Sequence, residues 1–156
     1  MRIIAHRGNL HGPSGEENDP KQIVKCIEQG YDVEIDLRAG VGLWLGHDYA
    51  EYEIQLGFLE KYKDKLWVHC KNEHALWWCQ REHVELNYFW HQEDDYTVTS
   101  KGWIWAYPDK MLLEGERTVC VMPELYNSDV TNATAICTDY AYDYKTNPVR
   151  SRRCID

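Results

Sequence analysis

The chain has 156 residues, 44% of them hydrophobic and 13% aromatic, which predicts one folded domain able to bury roughly two-thirds of its unfolded surface and excludes a disordered segment. Lys and Arg number 17 against 26 Asp and Glu, and the resulting formal charge of −9 argues against a generally basic, nucleic-acid-binding surface. Uncharged runs such as that between Arg38 and Asp48 are about half the ~20 residues a bilayer demands, and residues 1–5 lack a signal-type apolar region, so the expectation is a cytoplasmic protein without stable membrane insertion.

In chain order, residues 2–5 read as a strand, followed by a Gly/Pro/Ser/Asn-rich loop over 8–18. Asp19 is an N-cap with Pro20 at the first helical position, and Ile23, Val24 and Ile27 share a face until Gly30 stops the helix. A strand over 32–37, a short returning strand over 42–46, a helix marked by Ile54, Phe58, Leu59 and Tyr62, and a strand over 66–70 follow. Asn72 caps a helix over 73–80; further strands are expected over 88–91, 103–107, 118–122 and 134–138, with shrinking connections. This alternation predicts a parallel sheet with right-handed crossovers: an α/β fold, specifically a compact, reduced (β/α) TIM-type barrel, closed or incomplete, because a full eight-fold barrel takes ~250 residues. None of the six cysteines is spaced Cys-x-x-Cys, and they read as buried thiols.

Reacting groups of parallel α/β sheets gather at the carboxyl ends of the strands, and polar residues cluster there in this chain. His6, Arg7 and Gly8 close the first strand, Glu34 and Asp36 end the second, His47 and Asp48 follow the return, His69 and Lys71 end the third, and Glu124 follows the strand over 118–122. Two residues apart on a strand, Glu34 and Asp36 present both carboxylates to one face, where a divalent cation relieves their repulsion. His6 and His47 titrate near neutrality and suit proton transfer; Arg7 offers a fork of donors to phosphate oxygens. His11, His74 and His83 read as exposed. His91 opens the acidic stretch 92–95 as a further site candidate, and Trp103, Trp105 and Tyr107 share a face that suits a core or a stacking platform.

Taken in order, the segments IIAHRGN, EEN, VEIDLR and LGHD over residues 3–48 resemble the glycerophosphodiester phosphodiesterase family of the phosphatidylinositol phospholipase C-like superfamily, while LWVHCKN and AICTDY resemble its third and closing strands. The resemblance implies a metal-dependent phosphodiesterase in which His6 and His47 are the acid/base pair, Arg7 and Lys71 hold phosphate, and Glu34 and Asp36 ligate the metal. Glu17 and Asn18 then shape the rim, or Asn18 orders the turn before the helix. In such enzymes a hydroxyl next to the ester attacks phosphorus to give a cyclic phosphate. The family's third acidic ligand aligns with His69, so the remaining ligand is His69 or Glu124. A nitrogen ligand widens the metal choice from Mg²⁺ or Ca²⁺ to Mn²⁺ or Zn²⁺. The implied partner is a small glycerol- or sugar-phosphodiester. Two other readings stand beside this one: a non-catalytic phosphate-binding relative, and a different metal-assisted hydrolase using His69 and His91.

Overall fold

The computed structural model describes residues 1–147 other than positions 84, 114 and 116, so the Arg150, Arg152 and Arg153 cluster and Cys154 lie outside the described residues. The first strand, β1 (Arg2–His6), leads through the predicted loop to helix α1 (Pro20–Glu28), where the Asp19 carboxylate accepts from the Lys21 amide at 2.8 Å and Ile23 and Cys26 face inward. Gly30, at φ +87°, then turns the chain as only glycine does without strain. Next come β2 (Asp32–Gly40), β3 (Gly42–Leu45), β4 (Tyr52–Ile54), α2 (Leu56–Tyr62), β5 (Leu66–Cys70) and α3 (Glu73–Glu82), whose Asn72 cap accepts from the Ala75 amide. The second half holds β6 (Asn87–Phe89), β7 (Tyr96–Val98), β8 (Ile104–Ala106), β9 (Thr118–Val121), a 3-10 turn (Pro123–Leu125), β10 (Ala135–Thr138) and α4 (Ala141–Thr146).

Seven of these strands run parallel in the spatial order β6-β5-β2-β1-β10-β9-β8, and β7 lies antiparallel on β8. The fold is thus mixed α/β with a strongly curled sheet. Among the described residues no ladder joins the two edges of this order, β6 and β7, so the sheet forms a half-barrel. Isolated bonds bridge that seam: the Ser100 amide donates to the Tyr88 carbonyl at 2.8 Å, and the Thr97 hydroxyl donates to the Trp90 carbonyl at 3.0 Å. The hairpin β3-β4 hangs from the carboxyl end of β2. No helix among the described residues is long and apolar enough to cross a membrane.

The period-2 alternation of the strands splits the core. Ile4, Trp67, Phe89, Trp105, Val119, Val121, Ala135 and Cys137 fill the concave side, whereas Ala5, Val33, Ile35, Leu37 and Val68 meet α1, α2 and α3 outside. Trp105 therefore belongs to the interior, 4.5 Å from the Phe89 ring, and Tyr107 emerges at the mouth. Cys26, Cys70, Cys79, Cys120 and Cys137 are buried free thiols, as read from the sequence. Three expectations need correction. Ile54 ends a strand instead of starting a helix, β4 and β7 were not anticipated, and His83 is half-buried against Trp78, its ring 4.0 Å from the indole.

Candidate functional site

Strand register assembles the site. In the ladder between β1 and β2, His6 stands opposite Glu34; between β2 and β5, Asp36 stands opposite His69. All four side chains fall on the concave face at the carboxyl end of the sheet, with Glu34 and Asp36 buried.

The loop after β1 secures the carboxylates. Arg7 and Asn18 adopt positive φ, +51° and +62°, which turns the Arg7 amide onto Glu34 Oε2 at 3.1 Å and lets Asn18 grip Asp36 twice, through its backbone amide and Oδ2, each at 2.9 Å. Asn18 is therefore more than a turn residue: it aims Asp36. The Arg7 guanidinium lies between Asp36 Oδ2 and Glu17 Oε2, at 3.1 and 3.0 Å. Burial raises the Asp36 pKa, yet His69 and Arg7 outweigh it and hold the group well below the usual carboxylate range.

His69 donates from Nε2 to the His91 carbonyl at 2.8 Å; a carbonyl only accepts, so Nε2 carries the hydrogen. That leaves Nδ1 facing Glu34 Oε1 at 3.5 Å and Asp36 Oδ1 at 3.4 Å. Burial opposes a charge on this imidazole, but the two carboxylates prevail and push its pKa up to about 9.

The three ligand atoms lie within 4.8 Å of one another, and Asp36 Oδ1 is a buried acceptor with no hydrogen-bond partner. Ligands about 2.1 Å from one cation at tetrahedral or octahedral angles stand about 3.0 to 3.4 Å apart, close to the 3.5 and 3.4 Å that separate His69 Nδ1 from the two carboxylates. Two hard oxygens and an imidazole, the latter oriented by a carbonyl on its far nitrogen, are a donor set that Mn²⁺, Zn²⁺, Mg²⁺ or Ca²⁺ accepts.

Beside this cluster, His6 Nδ1 bonds Asp139 Oδ1 at 2.8 Å and its Nε2 lies 4.0 Å from Glu34 Oε2. Burial lowers the His6 pKa, but Asp139 and Glu34 overcome it and raise the net value, while Asp139 is itself held low by His6 against its own burial. Asp139 also accepts from Asn9 Nδ2 at 2.8 Å, and Asn9 in turn holds Glu17 at 2.9 Å. Sequence reading missed Asp139, although its position just after a strand is the signal that selected the other candidates.

Other candidates sit apart from the cluster. Glu124 spends both carboxylate oxygens on the Thr138 hydroxyl and the Asp139 amide, at 2.9 and 3.0 Å, and so positions Asp139. His47 follows Gly46, whose amide donates to the Asp36 carbonyl at 3.0 Å. This puts His47 beside the end of β2, with its ring bonded to Asp48 at 2.8 Å and 38% of its side chain exposed. Lys71 is half-buried at the end of β5, its amide on the Leu37 carbonyl. His91 is buried but outside the converging set; its ring lies 5.2 Å from that of Tyr107. His11 and His74 are exposed as expected. No protein-family model, curated protein or solved structure matches the chain.

Proposed function

We propose that this protein is a metal-dependent phosphodiesterase built on a reduced (β/α) TIM-type barrel, cleaving a small glycerol- or sugar-phosphodiester through a cyclic phosphate. The observation that carries the reading is the convergence of Glu34, Asp36 and His69 Nδ1 beside a histidine already paired with an aspartate. Glu34, Asp36 and His69 Nδ1 would hold a divalent cation, which would supply a Lewis acid for a phosphoryl oxygen. His6, with Nδ1–H held by Asp139, takes the proton of the substrate hydroxyl at Nε2, and Asp139 stabilises the imidazolium that results. The hydroxyl oxygen bonds to phosphorus, the ester P–O bond breaks, and His47 protonates the departing oxygen. Lys71 lies at the rim, where its ammonium neutralises the phosphoryl group; Arg7 reaches that group with the terminal nitrogen that Asp36 and Glu17 leave unused.

A non-catalytic phosphate-binding module is the second reading, favoured by the His47 ring being bonded to exposed Asp48 and not to the cluster. The test combines calorimetry with turnover. Glu34→Ala and Asp36→Ala are expected to abolish binding of Mg²⁺, Ca²⁺ and Mn²⁺; unchanged binding in both removes the metal assignment. His6→Ala and His47→Ala are expected to keep metal yet lose at least ~10²-fold in turnover on a phosphodiester with an adjacent hydroxyl. Metal binding without any release of alcohol by the wild type selects the second reading.

A further inference from the structure

We infer that His91 is a positioning residue for His69: its ring closes the 91–94 loop, so that the His91 carbonyl holds the His69 imidazole with Nδ1 turned toward Glu34 and Asp36. The inference rests on the metal-site reading above for its consequence, but not for its geometry.

Two contacts fix the His69 ring. Phe89 stacks on it, centroids 4.9 Å apart and planes 14° from parallel, which sets the plane; the His91 carbonyl at 2.8 Å sets which edge faces the carboxylates. Rotated by half a turn, the imidazole loses that bond and withdraws Nδ1 from the cluster. The location of one backbone carbonyl therefore decides the orientation of a ligand.

That carbonyl lies beyond the end of β6, where ladder bonds no longer hold the chain. The following residues, Gln92, Glu93, Asp94 and Asp95, are exposed; three of them are acidic, and Asp95 pairs with Lys110 Nζ at 2.9 Å. What holds the loop is the buried His91 ring, whose Nε2 donates to the Asp94 carbonyl at 2.6 Å. The Tyr107 amide anchors the far side on the Asp95 carbonyl at 2.9 Å, and the Thr97 hydroxyl fixes the Trp90 carbonyl just before it. Among the described residues, the donor on His91 is thus the one internal tie between the two ends of the loop. His91 acts through its main chain on His69, while its ring Nε2 is spent on the Asp94 carbonyl and lies outside the cluster of Glu34, Asp36 and His69.

Two substitutions separate the bond from the packing. His91→Phe keeps a ring against Tyr107 but removes the donor, and His91→Gln places an amide N–H near the position of Nε2–H. In metal-free, ¹⁵N-labelled protein, the His69 Nε2 proton is expected to resist exchange with water in the wild type and in His91→Gln, and to lose that protection in His91→Phe. Calorimetry with Mn²⁺ is then expected to show at least ~10-fold weaker binding for His91→Phe and near-wild-type affinity for His91→Gln, the scale of lost support behind a ligand. Retention of the protected proton in His91→Phe overturns the inference, whatever the metal affinity. If the wild type takes up no Mn²⁺, the metal reading fails alone and the exchange experiment still decides the role of His91. Should His91→Phe not fold, His91→Leu repeats the comparison without a donor.

Discussion

His69 carries opposite demands on its two nitrogens, and the consequence is measurable through pH. In the metal-free protein its pKa stands at about 9 against an unfolded value of 6.5, so the folded state binds the extra proton more tightly. The stabilisation is fully present below 6.5 and is lost as pH rises to about 9. A shift of that size corresponds to about 3 kcal/mol, so thermal melts of metal-free protein are expected to fall across this window and His69→Gln to flatten the decline. Saturating metal replaces that proton and is expected to remove the same decline; a melt profile equally steep with and without metal contradicts the shared site. His6 gives a second test at this scale. Asp139→Asn keeps the shape but offers an amide that can favour the wrong tautomer, so turnover is expected to drop ~10²-fold while metal affinity holds; equal turnover removes Asp139 from the mechanism. His6, Glu34, Asp36 and His69 were legible because each stands at a strand end in a short polar motif. Asp139 carries the same strand-end signal, but its role as the His6 partner depends on β10 lying beside β1, a contact across 133 residues.

At the scale of elements, β2 organises the molecule. Its first half lies between β1 and β5 and its last residues pair with β3, so one nine-residue strand delivers both carboxylates and suspends the hairpin that leads to His47. Arg38 secures the junction, donating to the carbonyls of Gly46 and His47. Gly46 has φ +147°, and a Cβ there would clash with the Tyr49 carbonyl oxygen. Gly46→Ala is therefore expected to cost roughly 1–3 kcal/mol and to displace His47, lowering both melting temperature and turnover. Metal affinity, which depends on β2 and β5, is expected to stay within a few-fold of wild type; loss of metal binding instead would tie the hairpin to the cluster. The apolar residues of β1, β2 and β5 and the capped helices α1 and α3 could be read directly. The three-residue strands β4 and β7 could not, because they exist as antiparallel hairpin partners of β3 and β8.

Across the whole molecule, the concave side is layered along the strand axis. At the amino end Asp32 accepts from Arg2, Lys65 and Trp67; an apolar belt of Ile4, Phe89, Trp105 and Val119 follows; the mouth carries the candidate site. The belt keeps water from reaching the buried carboxylates from below, which strengthens every charge interaction at the mouth. What the sequence could not reveal is where the sheet stops, since closure depends on whether β6 and β7 approach within ladder distance. Ser100 occupies that seam. Its hydroxyl accepts from the Tyr88 amide at 3.0 Å and donates to the Leu86 carbonyl at 2.9 Å, so one side chain substitutes for part of a missing ladder. Ser100→Ala strands both groups while leaving the Ser100 amide bond to Tyr88 in place, and a loss of about 1–2 kcal/mol is expected. Because the edge at β6 is held by so few bonds, the loss belongs to local opening: amides of Asn87–Phe89 and Tyr96–Val98 are expected to exchange faster, with β1 and β10 unchanged. His69 depends on Phe89 for its plane, so metal affinity is expected to weaken with the seam. Uniformly faster exchange throughout the sheet would show instead that the incomplete barrel opens as one unit.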